Sequence, residues 1–375
     1  MSNTSDVLNS KQPVFLDDPV LGSLEKDYLA RAIDSTYVST AGPFVPEFEE
    51  KFAAYVGAKR AVAVQSGTAA LHMALYQLGI GPGDEVIVPA LTFIASVNPV
   101  LYVGARPVIV DVDPDTWTMS PSAVENAINP HTRAIMPVHL YGNPCDMDTL
   151  TSLAQAHGIA VIEDATESLG AEQHGRKTGT FGVMGCFSFN GNKVLTTGGG
   201  GMIVTDDDRV ADHVKYLVNQ ARDLVPGYSH SEMGFNYRMT NLEAAMGLAQ
   251  LERLPHALAL KREFRQIYSE AFTHTDSLVL QKEHEDSQSS FWFSAVSIRG
   301  NGNVDSIQLA LKREGIPSRR HFRPLGDMPY LAQYAQSCPV ADELYATGLC
   351  LPSSACNDAD GIRQVAVALA SLLNS

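Results

Sequence analysis

AVAVQSGTAALHMAL, residues 61–75, carries the first decision about the fold. AVAVQ (61–65) reads as a strand, and Thr68–Leu78 has the apolar spacing of a helix. Only Ser66 and Gly67 lie between them, so the strand feeds almost directly into the helix. The alternation continues downstream. EVIVP (85–89) precedes a helical stretch over 94–103, and PVIVDV (107–112) precedes one over 121–128. Residues 134–138 and 159–163 are further strands, separated by a helical pattern over 150–157. Strands alternating with helices predict an α/β chain with a mostly parallel sheet covered on both faces. CFSFN (186–190) and GMIVTD (201–206) are two more strands, close enough in sequence to pair.

Beyond residue 206 the pattern changes. Residues 241–254 and 258–272 read as two long helices, with Lys261, Arg262 and Arg265 on a solvated face of the second. FWFSAVSI (291–298) reads as a strand, 304–314 as a helix and 362–373 as a final helix. A boundary at 255/256 divides a large domain, residues 1–255, from a smaller C-terminal domain, residues 256–375. Residues 1–12 are polar and are expected to lie outside the core.

The bulk composition is that of a globular protein, with 45% hydrophobic and 18% charged residues. Lys plus Arg is 27 against 42 Asp plus Glu, a formal charge of −15. That balance argues against nucleic-acid and anionic-membrane partners. The five cysteines form no C-x-x-C pair, so neither a disulfide framework nor a metal knuckle is expected. With no apolar leader and no run of about 18 apolar residues, the expected location is cytoplasmic.

Three segments could carry chemistry. In SFNGNKVLTTGGGG (188–201) a lysine, Lys193, follows a strand and precedes four glycines. Glycines let backbone approach a ligand closely, and a buried lysine amine can form a Schiff base. In VIEDATESLGA (161–171) Asp164 ends an apolar strand, where open α/β sheets place their ligands. It is either a helix cap or the partner of a protonated ring nitrogen. Its neighbours Glu163 and Glu167 read equally well as solvated. In residues 66–69 a helix start rich in small residues suits a phosphate, or is an ordinary Ser cap. An anion cradle, a strand-end aspartate and a lysine 29 residues later are together what a pyridoxal-phosphate site needs.

These segments resemble the DegT/StrS-type sugar aminotransferases, pyridoxal-phosphate (PLP) enzymes of fold type I. The match runs in family order through SGTAALHMAL (66–75), residues 79–117, PVHLYGNPCDMDTL (137–150), residues 161–182, residues 188–207 and GFNYRMTNLEAAMGLAQLERL (234–254). HFRPLGDMPYL (321–331) and GLCLPSS (348–354) extend it. The resemblance implies a mostly parallel seven-stranded sheet between helices, plus a smaller C-terminal α/β domain. It implies pyridoxal 5′-phosphate as cofactor, with Lys193 at the Schiff-base position and acting as general acid/base, and Asp164 on the ring nitrogen. Gly67, Thr68, Ala69 and Ser188 would hold the phosphate, Phe93 would stack on the cofactor, and Glu167 would lie near its 3′-oxygen. Asn236 would reach the phosphate of a partner subunit, giving a homodimer with shared active sites. His321, Arg323 and Tyr330 are candidate substrate contacts.

The implied reaction moves an amino group from L-glutamate to a nucleotide-linked 4-keto-6-deoxy sugar. The spellings DATESLGA, FNGNK and TTGGGG look most like the enzymes of bacillosamine- and legionaminic-type sugars, acting on UDP- or GDP-linked 2-acetamido sugars. GDP-perosamine synthases and 3-keto-sugar aminotransferases are the alternatives, as is a regulatory or binding protein on the same fold. A nicotinamide sugar oxidoreductase is disfavoured, because no G-x-G-x-x-G follows the first strand.

Overall fold

The computed structural model describes residues 13–300 and 302–373; the polar segment 1–12 lies outside the described residues. Seven strands form the main sheet: β1 (Arg60–Val64), β2 (Glu85–Pro89), β3 (Arg106–Val110), β4 (Thr132–Ile135), β5 (Ala160–Asp164), β6 (Met184–Ser188) and β7 (Gly201–Thr205). Their order is β1-β7-β6-β5-β4-β2-β3. The run from β3 through β6 is parallel, and β7 pairs antiparallel with both β6 and β1. The paired strands expected around 186–206 are β6 and β7, with Ser188 opposite Gly201.

Both faces of the sheet are buried, and the period-two alternation of β1 shows how. Val62 and Val64 pack into the apolar cluster that holds Ala70–Leu75 of helix α3. Ala61 and Ala63 face the opposite cluster with Phe48, Phe52, Phe187 and Phe189. Helices α2 (Phe44–Val56) and α3 (Gly67–Gln77) pack on the sheet, and α1 (Ser23–Asp34) packs on the long helix Asn241–Phe272. The helical stretch expected over 94–103 breaks into a 3-10 turn, Ile94–Ser96, and a short helix, Asn98–Tyr102, with Pro99 in its first turn.

The two long helices expected after 241 are one, α4 (Asn241–Phe272), opened by a Thr240–Glu243 capping box. Pro255 lies inside it, on an exposed stretch. The loss of one backbone bond there is offset by burial on both sides: Leu248, Leu254 and Leu258 in one core, Phe264, Ile267 and Tyr268 in the next. The boundary drawn at 255/256 therefore falls within a continuous helix. The expected solvated face of α4 is also corrected. Lys261 is buried and donates to the Trp292 and Ser353 carbonyls, Arg262 to those of Ser289 and Gly170, and Arg265 to that of Gln281. Long cationic side chains here satisfy buried backbone oxygens rather than meeting water.

The C-terminal part holds an antiparallel sheet of β8 (Leu278–Leu280), β9 (Ser294–Ile298), β10 (Arg319–Arg320) and β11 (Gly348–Leu351), in the order β8-β9-β11-β10. The apolar run 291–298 enters the strand only at Ser294. Phe291 turns away with a left-handed φ of 45°, which directs the start of the run towards the main sheet. Among the described residues, no helix is long and apolar enough to cross a membrane.

Candidate active site

A cavity of about 320 Å³ opens where β5, β6 and the start of α3 converge. Gly67, Thr68, Phe93, Asp164, Glu167, Ser188 and Lys193, all singled out from the sequence, line it.

Ser66 caps α3, its Oγ accepting the Ala69 N–H at 3.1 Å. The N–H groups of Gly67 and Thr68 precede any intrahelical acceptor and are left at the positive helix end. Ala69 itself is buried behind them, its N–H already engaged. Gly67 is required by space: a Cβ there would lie 2.8 Å from Ser188 Cβ and 3.0 Å from Thr166 Cγ2. Gly200, with a φ of 99°, brings the backbone of the glycine loop against the same cavity.

Asp164 ends β5 and is pinned from both sides, its N–H donating to the Pro137 carbonyl and its carbonyl accepting from the His139 N–H. No helix follows directly, so it is not a helix cap. Its Oδ1 accepts the Thr166 N–H at 3.2 Å, and its Oδ2 accepts the Ser96 hydroxyl at 2.6 Å. Ser96 spends its hydrogen there, so Thr92 Oγ1, 2.8 Å away, donates to Ser96. Glu163 and Glu167 are not solvated. Glu163 is fully buried, accepting from Gly179 N, Gly182 N and His139 Nε2. Glu167 accepts the Tyr141 N–H at 2.8 Å and places Oε1 3.9 Å from Lys193 Nζ. Burial raises the Glu167 carboxyl, against the pull of Lys193.

Lys193 follows a turn in which its N–H donates to the Asn190 carbonyl. Its Nζ stands 3.7 Å from the centroid of the Trp292 ring. Burial lowers its pKa, while Glu167 and Asp164 oppose that shift and Arg319 adds to it. A desolvated amine of this kind is a nucleophile held back from full charge. Phe93, although a large aromatic, is 52% exposed, leaving ring surface open to the cavity.

The remaining sequence candidates lie elsewhere. His321 is buried between Trp117 and Tyr141 and donates Nδ1–H to the Leu344 carbonyl; burial pushes its pKa down to about 4. Arg323 is exposed and pairs with Asp327. Tyr330, also exposed, bonds Asn98. Asn236 is exposed outside the cavity, bridged to Asn219. Among the lining residues not singled out from the sequence are Ser96, Thr166, Asn190 and Asn192, and, from the C-terminal part, Trp292, Phe322 and Arg319. The Arg319 guanidinium lies over the rings of Trp292, Phe293 and Phe322, and its Nε and Nη2 have no hydrogen-bond partner among the described residues. The arginine-rich run 318–323 signalled a cationic element, but the choice among its members is made by strand β10.

This geometry can be set beside known proteins. The family model for DegT/DnrJ/EryC1/StrS aminotransferases matches residues 19–370. The chain belongs to that family. A GDP-perosamine synthase of Caulobacter vibrioides is 45% identical over 343 residues, covering 90% of this chain and 92% of the relative. EpsN of Bacillus subtilis, named as a pyridoxal phosphate-dependent aminotransferase, is 39% identical over 351 residues, covering 91% and 90%. An aminotransferase structure from Psychrobacter cryohalolentis superposes with a TM-score of 0.91 at 31% identity, over 96% of this chain and 99% of that one. The family and the α/β fold expected from the sequence both stand. The perosamine relative corresponds to the alternative reading of the subgroup, not to the bacillosamine-type one.

Proposed function

We propose that this family member is an aminotransferase that uses pyridoxal 5′-phosphate to move the amino group of L-glutamate onto a nucleotide-linked 4-keto-6-deoxy sugar. The observation that carries the reading is that Lys193, Asp164 and the start of α3 open into one cavity. The residues fit the cofactor: the helix-start N–H groups of Gly67 and Thr68 have no acceptor within α3 and border a cradle that a single Cβ at Gly67 would fill, and the Lys193 amine makes no hydrogen bond among the described residues. When bound, the cofactor supplies a pyridinium ring that withdraws electrons from the amino-bearing carbon.

The chain's own groups do the rest. Gly67, Thr68 and the Ser188 hydroxyl would hold the phosphate at the positive end of α3. Asp164, fixed by Ser96 and Thr166, would pair with the ring nitrogen and favour its protonated form. Lys193 Nζ is the amine that would hold the cofactor's aldehyde carbon, and as a free amine it would move the proton at the reacting carbon. Glu167, beside that amine, biases it towards the charged form. Phe93, with ring surface open to the cavity, would stack on the cofactor. Arg323 and Tyr330, on the outer surface, are kept as contacts for the nucleotide part. Asn236 has the exposed position that a homodimer with shared sites requires.

A GDP-linked sugar is the favoured acceptor, supported by the GDP-perosamine synthases among the relatives. The test is a panel of UDP-, GDP- and dTDP-linked 4-keto and 3-keto sugars with L-glutamate, read by mass spectrometry. The visible band of the lysine-bound cofactor should bleach on adding glutamate, and amination should appear with a 4-keto sugar. No bleaching, or unchanged turnover in Lys193→Ala, would overturn the assignment.

A further inference from the structure

Trp292 is one of two tryptophans in the chain and is 2% exposed, yet it borders the cavity. Three contacts fix it. Its Nε1–H donates to the Asn192 carbonyl at 2.7 Å, the peptide that leads into Lys193. Its own carbonyl accepts from the buried Lys261 amine at 3.2 Å, which also bonds the Ser353 carbonyl at 2.7 Å. Its ring packs on Phe293 with centroids 4.4 Å apart. The ring face that remains receives the Lys193 amine at 3.7 Å, closer than the Glu167 carboxylate at 3.9 Å.

The two neighbours of that amine differ in kind. A carboxylate attracts an ammonium and can also take its proton. An aromatic face attracts the ammonium through its quadrupole but is no base. The Trp292 face therefore favours the charged form of the amine without taking its proton, working against the burial that lowers the Lys193 pKa. The charged groups around it are Glu167 and Asp164 from the end of β5, Arg319 from β10 and Asp17 from the segment before α1. Arg319 sits over the same indole at 5.3 Å, so two cations share one ring.

We propose that the Trp292 ring is the docking place of the Lys193 ammonium, a positioning residue that fixes where the amine rests, and from which side it hands over its proton, whenever it is not bonded to the cofactor. The inference rests on the proposed role of Lys193, but its test does not. The cofactor-free, full-length chain is reductively methylated with carbon-13 formaldehyde and followed by NMR across pH, with the Lys193 signal assigned by its loss in Lys193→Arg. Methyl groups lying on an indole face are shifted upfield by its ring current. Trp292→Leu should abolish that shift and lower the ratio of charged to neutral amine at a fixed pH by about tenfold, with Trp292→Phe falling between. Circular dichroism checks the fold; if the leucine variant does not fold, the phenylalanine variant decides by the same two signals. An unshifted wild-type signal, or a titration unchanged or moved upward in the variants, overturns the proposal. Borohydride reduction of the cofactor-loaded wild type is run alongside. Absence of a pyridoxyl adduct at Lys193 would sink the functional reading while leaving the docking result to stand or fall on the spectra.

Discussion

Gly67→Ala tests the phosphate cradle most directly, because the structure sets its size. The added Cβ meets Ser188 Cβ at 2.8 Å and would have to retreat to the 3.4 Å of ordinary contact, a displacement of about 0.6 Å. Ser188 cannot yield, since it ends β6 and is paired with Gly201 of β7. Thr166, at 3.0 Å, blocks a second direction and holds Asp164 through its N–H. The first turn of α3 must therefore move, carrying the Gly67 and Thr68 N–H groups with it. Overpacking of this kind costs about 1–3 kcal/mol of stability. Loss of one charge-assisted hydrogen bond to the phosphate costs about 1.5–3 kcal/mol, or roughly ten- to hundredfold in cofactor affinity. Gly191→Ala is the matched control: it lies in the loop that carries Lys193, but its Cβ would meet nothing within 4 Å. Affinity is measured by titrating cofactor-free protein with pyridoxal phosphate and following the lysine-bound band. If Gly67→Ala bound within twofold of wild type, the start of α3 would not be the cradle.

Asp164→Asn keeps the shape but removes the charge, and its single amide oxygen can accept from only one of Ser96 and Thr166. A charge pair about 4 Å apart at an effective dielectric of about 20 contributes about 4 kcal/mol, so the half-reaction with glutamate should slow about a thousandfold. Stopped-flow bleaching of the cofactor band measures it, and a loss of less than tenfold would count against the role of Asp164. A third expectation concerns Lys261, whose pKa burial lowers to about 8 from 10.5. Between those values the unfolded chain holds the proton and the folded chain does not, so unfolding takes up a proton and stability rises with pH. Urea midpoints of the wild type should therefore climb relative to Lys261→Met from about pH 8 to 10, by up to about 1.4 kcal/mol per pH unit. Parallel curves would show that Lys261 keeps its proton in the fold.

Much of the main sheet was legible because buried parallel strands are continuous apolar runs joined by short turns, and β1, β2 and β5 need nothing beyond that pattern. The lysine, the strand-end aspartate and the small-residue helix start were legible for a related reason: each is tied to a local strand or turn. What the sequence hid depends on distant partners. Lys261, Arg262 and Arg265 looked solvated because their charge suggests water, yet their acceptors are carbonyls 16 to 92 residues away. Pro255 looked like a helix end because local propensity is blind to apolar packing on either side of it. Trp292 looked like strand core, since nothing local says that the chain turns at Phe291. His321 and Arg323 were preferred to Arg319, although only the last is carried to the cavity by β10.

The unbroken helix α4 has a consequence for how the molecule can be taken apart. Its first half is clamped beneath the main sheet, and its second half forms the floor of the C-terminal sheet and grips the Trp292 carbonyl through Lys261. The lysine loop and the indole beside it are thus tied to a common axle. Splitting the polypeptide at residue 255 would leave each piece with an uncovered greasy flank, and the active-site wall would belong to neither. Swapping C-terminal halves between relatives should join cleanly only where the whole axle travels with one parent.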